Sequence, residues 1–367
     1  MTLKVAIIGA GLSGLACAIT LEKYGIYPTI FENRSQVGDR FVNGEAFLPA
    51  LNRPINDCYA YLAEEHGIYL QPLNNIKRIT LFSENNQATL QGHLGFLNVR
   101  GRDYDSLECQ LARQVRSKIV FNSEYTYEDL LKDYTHIVLA TGDAAYTARI
   151  QDFQQALTVT LRGATVEGEF DNRQVGIWLN YSLTPQGYGY LLPFSEKEAT
   201  ITMGYPDYPQ NQSLDIDSLW SRFFERVCKD YKQEFRITDK FEVTRYIMGM
   251  CHAPRIGNTF FVGNCFGVMM PAFGFGQIPA ILSGIYAAKD LCGVDHYDEL
   301  VKPLRQSYKY SLAVRRALEN FDNHKLDTLV KIINTELGNK LINSTNINLL
   351  KILGLLLQPY LITSVQK

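Results

Sequence analysis

Gly9, Gly11 and Gly14 are spaced as G-x-G-x-x-G directly after the apolar run Leu3–Ile8. A run this rich in Val and Ile predicts a short strand buried on both faces. Leu12, Leu15, Ala16 and Ile19 then share one face of a helix, and Gly25 stands where its C-cap belongs. Tyr27–Phe31 predicts a second strand, closed by Glu32. Strand, glycine turn, helix, strand and acid in this order make a dinucleotide site. Gly9 permits the tight turn, Gly11 lets the backbone approach a pyrophosphate, and Gly14 lets helix pack closely on strand. The pyrophosphate meets the free N–H groups and positive end of the helix, whose first turn carries Ser13. Glu32, with Asn33 beside it, is placed to take hydrogen bonds from a ribose. A carboxylate there repels a 2′-phosphate, which favours FAD or NAD over NADP.

The rest of the chain must hold that site. With 367 residues, about two domains are expected. Basic residues number 36 and acidic ones 38, so no cationic surplus points to nucleic acid. Aromatic residues reach 12%, which argues against a disordered polar chain. The seven cysteines include no C-x-x-C pair, and the six histidines form no H-x-x-x-H. Neither a disulfide framework nor a metal site is expected, and the setting reads as reducing and cytoplasmic. The apolar stretch after Lys4 imitates an export signal, but its glycines are those of the fingerprint. No apolar run is long enough to cross a bilayer.

Further pieces follow in order. Arg40 lies just past Gly38 and is placed to reach the cofactor phosphates. Arg100-Gly101-Arg102 precedes a helical stretch from about residue 106, a place that resembles one where related flavoproteins contact the cofactor through an arginine, and the choice between Arg100 and Arg102 stays open. His136–Leu139 is a buried strand ending in Ala140-Thr141-Gly142, small enough for a close backbone approach. Residues 158–162, 175–181 and 200–203 alternate as in a half-buried antiparallel sheet. Between two of these lies 185–194, which reads either as a glycine-rich connection with core aromatics or as an apolar wall. A third strand-and-turn, Val262-Gly263-Asn264, leads through Pro271, Phe273, Gly274 and Gly276 into a helix from about residue 278.

Glu32 followed by Gly38 and Arg40 resembles flavoproteins with a Rossmann-type FAD domain. Taken with Tyr188-x-Tyr190-x-Leu192-Pro193 and with Gly263-Asn264, Pro271 and Gly274-x-Gly276, the chain to about residue 295 resembles the geranylgeranyl reductase family of FAD enzymes. That family lies within the p-hydroxybenzoate-hydroxylase-like fold of the glutathione-reductase class. The resemblance implies FAD as cofactor, held by Gly9, Gly11, Ser13, Gly14, Glu32, Asn33, Arg40, Arg102, Thr141, Gly142, Gly263, Asn264, Gly274 and Gly276. It implies a substrate cavity lined by Tyr188, Tyr190, Pro193, Pro271 and Phe273, and hydride transfer to C=C bonds of a polyprenyl chain. Three departures stand out: Asn43 for the family's Cys, Tyr190 and Leu192 for its Trp and Phe, and Asn264 for its Asp. Gly187–Pro193 is also similar to the Gly-Trp-x-Trp-x-Ile-Pro motif of flavin halogenases. A flavin monooxygenase or halogenase is therefore the alternative, although nothing marks Lys77 as its catalytic lysine.

The expected architecture is α/β: a discontinuous FAD domain (1–70, 98–155 and 250–295), an inserted, mostly antiparallel β domain (71–97 and 156–249) and a helical region (296–367). No second glycine fingerprint exists for a separate NAD(P)H domain, so the electron donor is expected to be transiently bound NAD(P)H or a ferredoxin-like protein. The apolar stretch Leu349–Leu357, closed by Pro359, is too short to span a bilayer. It reads as a packed helix or as a peripheral membrane contact, at the inner face of the membrane if the substrate is a lipid.

Overall fold

The computed structural model describes residues 3–344 and 347–357. In chain order its strands and helices are β1 (Val5–Ile8), α1 (Leu12–Lys23), β2 (Thr29–Phe31), β3 (Asn43–Phe47), α2 (Cys58–His66), β4 (Asn74–Phe82), β5 (Gln87–Arg100), α3 (Leu107–Ala112) and β6 (Ile119–Val120). There follow α4 (Tyr127–Asp133), β7 (His136–Leu139), α5 (Ala144–Ile150), β8 (Phe153–Glu167), β9 (Gln174–Trp178), β10 (Tyr188–Pro193), β11 (Glu198–Pro206), α6 (Ile216–Tyr231), β12 (Arg236–Cys251), β13 (Arg255–Ile256) and β14 (Thr259–Phe261). The chain continues through α7 (Gln277–Leu291), α8 (Tyr297–Leu300), α9 (Lys302–Leu318), α10 (Asn323–Ile333), α11 (Glu336–Asn343) and α12 (Leu349–Leu356).

The first sheet has the order β13-β14-β7-β1-β2-β6, with β1 parallel to both β2 and β7. Its central strands are continuous apolar runs because helices cover them. Helices α1 and α7 lie against each other so tightly that a Cβ on Gly284 would sit 2.0 Å from the Ser13 carbonyl oxygen.

The second sheet has eight strands in the order β12-β8-β11-β10-β9-β4-β5-β3. Helix α6, which buries Leu219, Phe223 and Val227 at helical spacing, covers one face. The stretch 185–194 is not a connection between strands: Tyr188–Pro193 is itself a strand, paired on both sides. Gly189 makes this packing possible, since a Cβ there would lie 2.2 Å from the Phe223 ring. The sequence boundaries also shift. Asn43–Phe47 and residues 98–100, placed with the nucleotide domain, belong to the second sheet, where Asn43 pairs with Arg100 and Glu45 with Asn98.

The tail is helical through α12, and Pro359 lies outside the described residues. Asp327 of α10 fastens it to the β4–β5 hairpin. Its carboxylate accepts from Ser83 Oγ (2.5 Å), Asn85 N (3.0 Å) and Asn85 Nδ2 (2.8 Å). Burial alone would raise this carboxyl, but these donors outweigh it and hold the group well below the usual carboxylate range. Val330 and Ile333 of α10 pack behind Ile79, Leu81 and Leu90. Among the described residues no helix is long and apolar enough to cross a membrane, and no cluster of His, Cys, Asp or Glu is arranged to hold a metal ion.

Candidate functional site

A cavity of about 540 Å³ opens at the C-terminal ends of β1, β2 and β7, lined in part by Gly9, Gly11, Glu32, Asn33, Thr141 and Gly142. The three glycines have different reasons to be there. Gly9 has φ +110°, and a Cβ on it would fall 2.3 Å from the Ala140 carbonyl oxygen. A Cβ on Gly14 would lie 2.1 Å from the Gly9 oxygen. Around Gly11 a Cβ meets nothing within 4 Å. This open space lies over the start of α1, where no side chain caps the N–H groups. Glu32 is held in place by Ala10 N–H (2.8 Å) and Arg34 N–H (3.0 Å), one on each oxygen. Each oxygen keeps a lone pair for a ribose hydroxyl.

Asn264 lines neither cavity and is buried behind Gly142, which lines the first. Its Nδ2 donates to the carbonyls of Gly142 (3.3 Å) and Ile247 (3.4 Å), while its buried Oδ1 has no partner. A buried acceptor without a donor is costly. A hydroxyl-bearing cofactor chain would satisfy it, and the space over Gly11 would take a diphosphate. The residues present therefore fit FAD. Ser13 lines neither cavity and packs under Gly263 instead: a Cβ there would be 2.6 Å from Ser13 Oγ.

The second cavity, about 180 Å³, lies between the face of the second sheet opposite α6 and residues 269–277. Strand alternation builds it: Tyr188, Tyr190 and Leu192 face in, while Gly189 and Leu191 face α6. Phe273, Gly274 and Gln277 close the side nearest α7. Helix α7 starts at Gly276 with no side-chain cap, leaving its positive end available toward this space. The Tyr188 hydroxyl donates to the Phe273 carbonyl, and the Tyr190 hydroxyl donates to Asn43 Oδ1 at 3.4 Å. Burial pushes the Tyr190 phenol up to about 12. Pro193 and Pro271 do not line the cavity.

Arg40 and Arg100 line both cavities and form the wall between them. Arg100 sends Nε (2.9 Å) and Nη2 (2.8 Å) to Glu108, and its Nη1 is 3.7 Å from Glu45. The Arg40 guanidinium lies 4.6 Å from the Phe41 ring centroid, over a ring stacked on Phe241. Burial lowers the Arg40 pKa, Arg100 reinforces that, and Glu108 and Glu45 oppose it. Arg102 points elsewhere, to Asp239 at 3.0 Å on the surface. The choice left open between the two arginines thus falls to Arg100, the last residue of β5, which lines both cavities, whereas Arg102 lies beyond the strand, past Gly101 at φ +99°. The sequence reading missed Tyr125, Glu108, Tyr246 and Gln277. Tyr125, packed edge-on to Phe31 with centroids 5.4 Å apart, lines the nucleotide cavity from a loop with no local motif.

Residues 7–46 match the NAD(P)-binding Rossmann-like domain family. The chain carries a Rossmann-like dinucleotide-binding domain. Over 52 residues, 14% of this chain, it is 44% identical to the methylenetetrahydrofolate–tRNA-(uracil-5-)-methyltransferase TrmFO of Lawsonia intracellularis. The chain spans only 10% to 27% of the length of the curated relatives it matches. Whole-chain likeness comes from solved structures. A geranylgeranyl bacteriochlorophyll reductase-like protein of Thermoplasma acidophilum superposes with a TM-score of 0.72 at 17% identity, covering 99% of this chain and 98% of that one. The flavin-dependent brominase Bmp2 superposes at 0.68 with 14% identity, covering 99% of each chain. The fold is that of FAD-dependent oxidoreductases, with the Rossmann-like core, the second sheet and the C-terminal helices all accounted for.

Proposed function

We propose that this chain is an FAD-dependent reductase that saturates C=C bonds of a polyprenyl or other long apolar substrate. The observation that carries this reading is the lining of the cavity beside the α7 N-terminus. Its walls are aliphatic and aromatic, from Ile76 and Ile79 through Val175, Ile177 and Leu192 to Phe275. Such a lining desolvates an alkene and excludes the water that would compete for hydride. Bound FAD supplies a hydride at N5 once reduced, and NAD(P)H or a ferredoxin-like protein is the proposed electron source. The protein's share is to hold and orient. The Gly9–Gly14 turn and Glu32 bind the nucleotide half, and Asn264 offers its free oxygen to the ribityl chain. The uncapped start of α7 favours the negative charge that accumulates on the ring. Tyr188 and Tyr190 form the opposite wall.

The alternative of a flavin monooxygenase or halogenase shares the fold. The halogenase part of that alternative lacks support from the cavity lining, since no lysine lines either cavity among the described residues and Lys77 is exposed on β4. The test is spectroscopic. The purified protein, loaded with FAD and reduced anaerobically, is expected to be reoxidised by a geranylgeranyl lipid, with a saturated product detected by mass spectrometry. Reoxidation by oxygen alone, coupled to hydroxylation or halogenation of an aromatic compound, would overturn the reading.

A lipid substrate must be reached, and α12 offers a means. Leu350 and Gly354 of α12 pack inward, Gly354 against Tyr310, while Ile352, Leu353, Leu355 and Leu356 are exposed beside Lys351. We propose that this face rests on a membrane surface. The protein is expected to float with anionic vesicles, and Leu353→Asp with Leu356→Asp is expected to abolish flotation without lowering the melting temperature. Flotation unchanged in the double variant would rule out this face.

A further inference from the structure

Saturating an alkene needs a proton as well as a hydride, and the cavity limits where that proton can come from. Glu45 is the only carboxyl group among the described residues lining it. Asn43 and Glu45 lie on the same face of β3, and Glu45 projects next to Tyr188, Tyr190 and Arg40. The other protic groups are engaged. Tyr188 donates to the Phe273 carbonyl, Tyr190 to Asn43 and Tyr246 to the Gly142 carbonyl. Burial raises all three phenols, making them poor acids.

We propose that Glu45 is the proton donor of the reductase reaction, which rests on the reading given above. Two arrangements set it apart from its neighbour Glu108. The Arg100 fork closes on one oxygen of Glu108, with a hydrogen bond from Nε at 2.9 Å and an ion-pair contact from Nη2 at 2.8 Å, whereas its nearest approach to Glu45 is 3.7 Å, beyond hydrogen-bond reach. Arg40, the other cation facing Glu45, makes its closest aromatic contact with Phe41. Burial, aided by the nearby Glu108 charge, raises the Glu45 pKa against the pull of Arg100, Arg40 and Asn43. A raised carboxyl beside the aliphatic and aromatic lining holds its proton more readily than an exposed glutamate, as a general acid needs. In the step, one alkene carbon gains a hydride and the other gains the Glu45 proton. The π bond, the carboxyl O–H bond and the N–H bond that carries the hydride on the reduced flavin would break, and two C–H bonds would form. The two electrons come from the reduced flavin, which is left oxidised. Glu45 is left as carboxylate and regains its proton from water when the product leaves.

The test has one readout without cofactor and one with it. In apo-protein at pH 7, an infrared carbonyl stretch of a protonated carboxylic acid, shifted in D2O, is expected, and Glu45→Gln should remove it. In FAD-loaded protein, Glu45→Gln is expected to bind FAD within twofold of wild type and to be fully reduced by dithionite. Its reoxidation by a geranylgeranyl lipid should be at least about 100-fold slower. The wild-type rate should fall as pH rises through the raised Glu45 value, and that fall should be absent from Glu45→Gln. Glu45→Asp, which keeps an acid there, is expected to restore part of the rate and the pH dependence, and serves alone if the Gln variant does not fold. Absence of the infrared band with normal lipid reduction overturns the role of Glu45 alone. A wild-type flavin that the lipid does not reoxidise overturns the reductase reading and the donor role with it.

Discussion

Replacing Gly9 with alanine is expected to destabilise the protein by about 2–6 kcal/mol, combining left-handed strain and overpacking. At φ +110° an L side chain is strained in any surroundings, and here its Cβ would fall 2.3 Å from a backbone oxygen of the Ala140 turn. Neither partner can yield cheaply, because both belong to central strands of the first sheet, β1 and β7, or to the turns that end them. A single domain is stable by only about 5–15 kcal/mol, so the variant should lose much of its folded population on mild heating or in low urea. Chemical denaturation of the apo-protein reads this directly, since no cofactor is needed for the clash. A Gly9→Ala protein within about 1 kcal/mol of wild type would show that the turn can open.

Gly11→Ala should do nearly the reverse. Its Cβ meets no atom, and its φ of −89° is open to any residue, so the fold should survive. The cost is confined to replacing glycine at a helix N-cap, about 1 kcal/mol or less. The methyl group would occupy the space a diphosphate needs over the first turn of α1. FAD affinity is expected to fall about 100-fold, equivalent to losing about 2.7 kcal/mol of contact. Titration of apo-protein followed by flavin fluorescence measures this beside an unchanged unfolding curve. Wild-type affinity in this variant would place the phosphates elsewhere. The two substitutions, two residues apart in one motif, thus separate folding from binding.

The same contrast explains what could be read from the sequence. The fingerprint, Glu32 and the return through Gly263 are local patterns, in which neighbouring residues make the turn and the site together. The Tyr188–Tyr190–Leu192 face was half legible: alternation marks an inward row, but its pairing partners lie far along the chain. Strand β3 was not legible, because it becomes a strand only by pairing with residues 96–100 of β5. The distinction between Arg100 and Arg102 depended on the same pairing. Helix α6 did leave a signal, with Leu219, Phe223 and Val227 four apart after the N-cap Asp215, and it went unread beside the strands. Nothing local could set Glu45 apart from Glu108, since the difference is which carboxylate the Arg100 fork grips.

Strand β10 divides its labour residue by residue. Positions 188, 190 and 192 look into the cavity, and positions 189 and 191 look into the packing under α6. Changes at the first set can retune the pocket for a different chain shape while the helix behind stays seated. Changes at the second set would loosen that helix without altering any surface a substrate meets. A one-residue slip of β10 itself against its partners would exchange the two sets at a stroke, turning two tyrosines toward Phe223 and a glycine toward the cavity. The cavity wall in this chain can therefore be reshaped by point substitution along β10, but not by a change of length within the strand.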